Sequence, residues 1–372
     1  MSNERIIVYV VTDPLTANVF GFDQIRFLLK NNYKIYLICG PGKLRRDYKK
    51  LGIIVIQVGS LRRNISLILD LISLFRIIML VRYVKPYMAI YSTPKASLIT
   101  SIACYLLGTP VRVNQLWGAR WQTKSKIMRS ILIKLERVVL LISTDNIAVS
   151  KSLKQLYNSI SDRKIHLLGN GSATGVNSKI FYPTKLNRRQ KNCLTIGFIG
   201  RIAKDKGFEE LLVVFDQLKV YFPSIKLQVL GNIDLADPVD LMYIKKMSLD
   251  PAIKWIKVAN SNEIANHVRN WDLQIFPSKR EGFGTSIIEA SASGVPTIAW
   301  DIVGVRDAIP PNLKNLLVPV TNIDRFVKHS LNYLKNPIGE RERSELSNWT
   351  RLNFDTNIVL SNFLKFIEEK VE

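Results

Sequence analysis

The chain has 372 residues, 47% of them hydrophobic, and a formal net charge of +23. This length exceeds what a single core usually supports, so we expect two domains. The three cysteines, Cys39, Cys104 and Cys193, are widely spaced. They show neither a CxxC pair nor a zinc pattern, which excludes a disulfide scaffold and favours a reducing compartment.

The positive charge is concentrated in the first half of the chain. Up to residue 183 there are 27 Lys and Arg against 8 Asp and Glu, whereas the remainder has 26 against 22. Such a field favours nucleic acid, anionic lipid or phosphorylated substrates, and a solvated surface is the alternative. Basic clusters occur at 43–50, at Arg62-Arg63 and from Arg112 to Arg137.

No signal peptide is expected, because the chain runs from Met1 directly into a strand-like pattern. The most apolar stretch, Ile65–Val84, is interrupted by Asp70, Arg76 and Arg82. A membrane span needs about 20 largely apolar residues. The stretch therefore predicts a core helix, or a helix lying on a membrane surface.

Strand-like and helix-like segments alternate along the first half. The predicted strands are Ile6–Val11, Tyr33–Cys39, Ile53–Val58, Tyr87–Tyr91, Val111–Gln115 and Asn146–Val149, and the predicted helices are Phe22–Lys30, Leu67–Val84, Ala96–Leu107 and Lys126–Leu141. This alternation predicts a doubly wound parallel sheet.

The periodicity stops at Gly169–Asn177, where glycine and small polar residues indicate a linker of about 169–190. The alternation then restarts, with predicted strands Leu194–Ile199, Lys226–Leu230, Ile253–Lys257, Leu273–Phe276 and Thr297–Ala299, and predicted helices Phe208–Tyr221, Ser261–Asn270, Thr285–Ala292 and Phe354–Lys370. We predict an α/β protein of two Rossmann-like domains, 1–183 and 184–350, facing each other across a cleft. A final helix within 351–372 is expected to pack back toward the first domain.

The segment 197–207 joins a predicted strand to a predicted helix through a glycine turn and two cations, Arg201 and Lys206. Glycine lets backbone approach a ligand, and a helix N-terminus offers N–H groups to an anion. Both cations would add charge against a diphosphate. A plain strand–turn–helix is the alternative for this segment taken alone.

The segment 281–289 follows another predicted strand and places two acids, Glu281 and Glu289, near one end of it. A carboxylate can accept hydrogen bonds from two neighbouring hydroxyls of a sugar ring or ribose. The backbone N–H groups at Gly284–Ser286 would lie at a helix start, ready for a phosphate. Solvated surface acids are the alternative, although Glu289 stands among apolar residues, where an unused acid is costly.

Further short segments complete the pattern: Phe276-Pro277-Ser278, Gly294-Val295-Pro296, Thr93-Pro94-Lys95-Ala96-Ser97 and Gly108-Thr109-Pro110-Val111-Arg112. In its order and spacing the chain resembles the retaining glycosyltransferases of family 4, which have the GT-B fold. The N-terminal segments resemble a branch common in bacterial O-antigen, capsule and lipid-linked glycan assembly.

The resemblance implies a role for each matching residue. Arg201 and Lys206 would bind the donor diphosphate, Glu281 would contact the transferred sugar and Glu289 would hold the ribose. The predicted catalytic residues are Glu281, Arg201 and Lys206, and the predicted donor-binding residues are Gly200, Gly282, Phe283, Gly284, Thr285, Ser286, Ile287 and Glu289. Thr93, Lys95, Asn114 and Arg120 are candidates on the acceptor side, with a structural role as the alternative for the last two.

The implied activity is transfer of a hexose or N-acetylhexosamine from a UDP-sugar, with retention, to a polyprenyl-diphosphate-linked glycan. No metal or other cofactor is expected, and the sequence contains no Asp-x-Asp motif. The expected location is peripheral, on the inner face of the cytoplasmic membrane, with the basic first domain on anionic lipid. A GT-B nucleotide-sugar epimerase and a basic nucleic-acid-binding protein are the alternatives.

Overall fold

The structure is a computed structural model and describes residues 5–44, 47–184, 193–257 and 260–371. Arg45 and Arg46 of the predicted basic cluster, and residues 185–190 of the predicted linker, lie outside these ranges. The chain divides into two compact units. The first unit runs up to Thr174 and resumes at Asn357, and the second spans Gly175–Thr356.

The first unit is built on a seven-stranded sheet within the described residues. Its strands are β1 (Ile6–Val10), β2 (Lys34–Cys39), β3 (Ile54–Gln57), β4 (Met88–Ser92), β5 (Val111–Leu116), β6 (Asp145–Ala148) and β7 (Ile165–Leu167). They are ordered β3-β2-β1-β4-β5-β6-β7, and neighbouring strands are parallel. The predicted doubly wound parallel sheet is confirmed.

Helices cover both faces of this sheet. They are α1 (Pro14–Thr16), α2 (Phe22–Lys30), α3 (Leu67–Val84), α4 (Pro94–Leu106), α5 (Lys126–Ile142) and α6 (Lys151–Asn158), and the C-terminal α14 (Thr356–Glu368) belongs to this unit from Asn357 onward. Alternate β1 side chains face opposite sides. Ile7 and Tyr9 share a core with α2 and α14, and Val8 and Val10 share one with α3, α4 and α5.

The second unit is built on a six-stranded parallel sheet within the described residues. Its strands are β8 (Thr195–Ile199), β9 (Lys226–Leu230), β10 (Ile253–Ile256), β11 (Leu273–Phe276), β12 (Thr297–Trp300) and β13 (Leu317–Val318), in the order β10-β9-β8-β11-β12-β13. Strands β8, β11 and β12 are buried along their whole length. This burial explains why they are nearly continuous apolar runs.

The helices of the second unit include several that the sequence pattern did not predict. They are α7 (Phe208–Tyr221), α8 (Leu241–Leu249), α9 (Ser261–Val268), α10 (Thr285–Ala292), α11 (Val305–Ala308), α12 (Ile323–Lys335) and α13 (Glu340–Phe354). The single terminal helix predicted from Phe354 is wrong at its start. Asp355 has φ −56° and ψ 138°, so α13 ends before it and α14 begins after it.

Side-chain caps define the starts of several helices in both units. Asp13, Ser150, Asp240, Asn260 and Asn322 each accept a hydrogen bond from a backbone N–H of the first turn that follows. Such caps typically stabilise a helix by ~1 kcal/mol. Among the described residues, no helix is long and apolar enough to cross a membrane.

Candidate functional site

The predicted donor residues lie at the topological switch point of the second sheet. Strand β8 lies between β9 and β11. The chain continues from β8 to β9 on one side and later returns to β11 on the other side. In open α/β sheets, ligands bind outside the carboxyl ends of the strands at such a point. Two loops meet here: 200–207 after β8 and 277–284 after β11.

Glycine residues bring the first loop close to its neighbours. The N–H of Gly200 donates to the carbonyl of Leu230 at 3.0 Å. After a 3-10 turn at Lys204–Lys206, Gly207 has φ +68° and precedes α7. A Cβ on Gly207 would overlap the carbonyl oxygen of Pro277. Glycine at this position therefore allows the two loops to touch.

Lys206 and Glu281 form an ion pair across the two loops. The Lys206 Nζ lies 2.5 Å from Glu281 Oε1, and their side chains are only 18% and 14% exposed. Ser278 Oγ donates to the same carboxylate oxygen at 2.8 Å. A half-buried carboxylate with a fixed cation is well placed to receive a sugar hydroxyl, and the cation is placed beside any diphosphate bound there.

Arg201 is held by two acids near the same loop. Its guanidinium pairs with Asp234 and donates to Asp205 Oδ2 at 3.0 Å. Arg280 also donates to Asp205 Oδ2, at 3.0 Å. Burial works to raise the pKa of Asp205, but Arg201, Lys206 and Arg280 together bring it below its usual value. We call Arg201, Asp205, Lys206, Arg280 and Glu281 the switch-point cluster.

Neighbouring residues pack closely against the segment Gly282-Phe283-Gly284. The buried Phe283 ring lies 5.1 Å from the ring of Phe354. Gly304 has φ +85°, and a Cβ there would lie 2.6 Å from the carbonyl carbon of Gly282. This segment is therefore in close contact with both an aromatic ring and a second glycine loop.

Helix α10 carries the remaining predicted donor residues. Thr285 and Ser286 are half-buried at its start, and Ile287 is buried. Glu289 is half-buried on the next turn, and desolvation raises the pKa of its carboxyl group to about 8. No side chain of the described part of the chain pairs with this carboxylate. A ligand hydroxyl would satisfy it.

Two predicted acceptor-side residues, Thr93 and Lys95, follow β4 in the first unit. This is the switch point of the seven-stranded sheet, because β1 and β4 are adjacent there. Thr93 has φ +73°, and its Oγ1 lies 2.6 Å from Thr12 Oγ1. Lys95 Nζ donates to Asp70 Oδ1 at 2.6 Å.

The other two acceptor-side candidates lie elsewhere. Asn114 is buried within β5, and its Nδ2 donates to Asn146 Oδ1 at 3.1 Å. Arg120 is exposed at the start of a 3-10 turn, Arg120–Thr123. The structure thus brings Thr93 and Lys95 together and places Asn114 in a buried polar pair.

Sequence reasoning missed the partners of the donor residues. Asp205 contacts the predicted cation Arg201, Ser278 contacts the predicted acid Glu281, and Arg280 contacts Asp205. Among the described residues, no group of three His, Cys, Asp or Glu side chains could hold a metal ion.

Two parallel sheets with surrounding helices match the GT-B architecture of solved glycosyltransferase structures. Residues 184–351 match the family described as "Glycosyl transferases group 1". The capsular polysaccharide biosynthesis glycosyltransferase CapM of Staphylococcus aureus is 31% identical over 318 residues, covering 83% of this chain and 82% of CapM. The chain therefore belongs to the group 1 glycosyl transferases.

Two other proteins are informative for comparison. The UDP-Gal:alpha-D-GlcNAc-diphosphoundecaprenol alpha-1,3-galactosyltransferase of Escherichia coli is 24% identical over 340 residues, covering 86% of each chain. Anabaena HepE, solved in complex with UDP-glucose, superposes with a TM-score of 0.75 at 14% identity. The superposition covers 98% of this chain and 99% of HepE. The protein is therefore a glycosyltransferase.

Proposed function

We propose that the enzyme transfers a hexose or N-acetylhexosamine from a UDP-sugar, with retention, to a polyprenyl-diphosphate-linked glycan, as in family 4. The observation that carries this proposal is the Lys206–Glu281 pair at the switch point of the second sheet. It combines a cation for a diphosphate with a carboxylate for a sugar. The E. coli relative uses UDP-Gal and a diphosphoundecaprenol acceptor by its name, and HepE binds UDP-glucose, which supports the choice of donor and acceptor.

The switch-point cluster, the backbone that follows it and Glu289 each contact a different part of the donor. Arg201 and Lys206 bind the diphosphate and stabilise the negative charge that develops on it as the anomeric bond breaks. Glu281 and the backbone of 282–284 contact the transferred sugar. Glu289, whose carboxylate has no side-chain partner in the described part of the chain, accepts hydrogen bonds from the ribose hydroxyls.

The reaction is a substitution at the anomeric carbon. The bond from this carbon to the β-phosphate oxygen breaks, and an acceptor hydroxyl oxygen bonds to the same carbon from the same face. The leaving diphosphate takes the hydroxyl proton, so no separate general base is needed. Retention follows from the attack on the face that the diphosphate leaves.

The first unit takes the acceptor. The chain up to residue 183, which contains the first unit up to Thr174, carries most of the excess positive charge, and this suits a diphosphate on an anionic membrane. Thr93 and Lys95 are placed at the carboxyl edge of its sheet, where a ligand would bind. We infer a peripheral location on the inner face of the cytoplasmic membrane, where a lipid-linked acceptor would be within reach.

A donor and acceptor screen tests this function. Purified protein is incubated with UDP- or GDP-sugars and a polyprenyl-diphosphate N-acetylhexosamine, and products are identified by mass and by the anomeric coupling constant. We expect one added sugar, of α configuration when the donor is α, from a UDP-sugar. Release of UDP without acceptor and with an epimerised sugar would instead identify an epimerase.

A further inference from the structure

Helix α3 exposes an apolar face along its whole length. Ser73, Ile77, Val81 and Val84 recur at helical spacing and pack toward the sheet. The opposite face carries Leu67, Ile68, Leu71, Ile72, Phe75, Met79 and Tyr83, which are 40–84% exposed. A helix that is apolar all round is normally buried or in contact with lipid. In α3 the second apolar face is exposed, and none of the described residues covers it.

Helix α5 repeats this feature on the other side of α4. Helix α4 packs against both α3 and α5, so the three helices lie side by side on one face of the sheet. The exposed apolar residues of α5 are Ile127, Met128, Ile131, Leu135, Val138 and Leu141. We call the outer faces of α3 and α5 the α3–α5 surface. Exposed apolar faces of this kind mark an interaction site.

The positive charge around the α3–α5 surface favours an anionic partner. Between residues 62 and 141 there are 13 Lys and Arg and only two acids. One acid, Asp70, is paired with Lys95, and the other, Glu136, is buried. Exposed cations flank both apolar stripes: Arg76 and Arg82 on α3, and Lys126, Arg129, Lys134 and Arg137 on α5. Two copies of so basic a surface would repel each other, whereas an anionic bilayer complements it.

We propose that the α3–α5 surface seats the first unit on an anionic lipid bilayer, with α3 and α5 in the plane of the interface. This rests on the proposed function, because it identifies the face that meets the membrane holding the acceptor. The apolar stripes enter the boundary between headgroups and acyl chains, and the flanking cations contact lipid phosphates. The attachment is interfacial, because α3 and α5 also pack into the first unit through their buried faces.

The same arrangement connects the membrane to the acceptor-side residues. Parallel strands end at one edge of the sheet, so α3 and α4 both begin at that edge. There Lys95, on the first turn of α4, pairs with Asp70 on the first turn of α3. The exposed Leu67 and Leu71 are neighbours of Asp70 on the same helix. A lipid diphosphate at the bilayer surface would therefore lie close to Thr93 and Lys95.

Vesicle co-sedimentation tests the proposal. The double variant Leu71→Glu/Phe75→Glu is compared with Leu241→Glu/Leu249→Glu, whose residues are equally exposed on α8 of the second unit. With vesicles of phosphatidylglycerol and phosphatidylethanolamine, we expect the α3 variant to lose at least ~10-fold in partitioning and the α8 variant to match wild type. Neutral phosphatidylcholine vesicles should bind wild type weakly. Equal partitioning of both double variants would overturn the proposal.

Two further measurements distinguish loss of membrane binding from loss of folding or of activity. Both variants should transfer sugar equally well to a short-chain, water-soluble lipid diphosphate, and circular dichroism should show that both are folded. If wild type sediments with vesicles but transfers no sugar, the proposed function fails while the membrane surface stands. If wild type is a dimer that Leu71→Glu/Phe75→Glu dissociates, the surface is a contact between copies and the proposal is wrong.

Discussion

Asp205 and Arg280 join the two loops of the second sheet's switch point, with Arg280 Nη2 donating to Asp205 Oδ2 at 3.0 Å. The backbone agrees with this pairing, because the N–H of Lys279 donates to the Asp205 carbonyl at 2.9 Å. Asp205 also accepts from Arg201. One carboxylate therefore orients two cations on separate loops.

The Asp205→Asn variant should be less stable at neutral pH and should bind donor more weakly. In the wild type, Arg201, Lys206 and Arg280 bring the pKa of Asp205 below its usual value. The ionised Asp205 carboxylate therefore stabilises the fold at pH values above the pKa of the unfolded chain, and this stability is lost as the pH falls. We expect thermal unfolding of wild type and variant to differ at pH 7 and to converge as the pH falls below about 4. The donor KM should rise several-fold. Asp301→Asn, which removes an exposed pair with Arg306, is the control and should change neither quantity.

The Glu281→Gln variant should lose kcat by ~100-fold while remaining folded. Glutamine keeps the shape and can still accept from Ser278, but it removes the charge that pairs with Lys206 and receives the sugar hydroxyl. Steady-state kinetics with circular dichroism check this. Glu345→Gln, at an exposed ion pair with Arg341, is the matched control. Full activity of Glu281→Gln would remove Glu281 from the proposed donor site.

The Glu289→Gln variant should change the pH dependence of stability in a defined direction. Burial raises the pKa of Glu289 to about 8, above its unfolded value. The folded protein therefore keeps this proton more tightly, and stability falls as pH rises from about 4.5 to about 8. Glutamine carries no charge and should remove that fall, so unfolding at pH 8 should occur at higher temperature than in wild type.

The same variant should weaken donor binding, because an amide accepts fewer hydrogen bonds from the ribose than a carboxylate. Isothermal titration with UDP at pH 8 checks this, and we expect a ~10-fold higher Kd. Titration with deoxy-UDP should show no such difference between wild type and variant. Unchanged UDP affinity would indicate that Glu289 does not contact the ribose.

Much of the fold was predictable because its central strands are buried on both faces. The apolar runs of β4, β8 and β11 are recognisable in the sequence, and their ends predicted where ligand residues would gather. Helix α13 was missed, since its sequence is mostly charged or polar and only Arg343, Leu346, Thr350 and Phe354 are buried. Its position depends on packing against α10, which no local pattern indicates.

The site was predictable in its residues but not in their partners. Arg201, Lys206 and Glu281 stand in recognisable segments, whereas Arg280 meets Asp205 only through folding across 75 residues. For α3 the composition left two interpretations open, a core helix or a helix on a membrane surface. The observed burial of one apolar face and exposure of the other could be found only from the packed structure.

The Gly207→Ala variant should impair folding of the second unit. At φ +68° an alanine costs about 1–2 kcal/mol in backbone strain alone, and its Cβ would overlap the Pro277 carbonyl. The two loops would have to separate, which would also break the Lys206–Glu281 pair. Chemical denaturation should show a lower midpoint and kinetics a lower kcat. Gly52→Ala, at φ +82° with open space around it, is the control and should show the strain without the loss of activity.

On the acceptor side, Thr93 has a positive φ that is unusual for a β-branched residue. Backbone strain of this kind costs about 1–3 kcal/mol and occurs mostly at functional sites. Thr93→Gly relieves it but removes the Oγ1 that contacts Thr12 Oγ1 at 2.6 Å and accepts from the Thr12 N–H at 3.2 Å. Stability should therefore change little, while the acceptor KM rises several-fold and the donor KM stays constant. Thr93→Ser keeps the hydroxyl and should restore the acceptor KM. If Thr93→Gly leaves the acceptor KM unchanged, the hydroxyl only ties β1 to β4 and does not serve the acceptor.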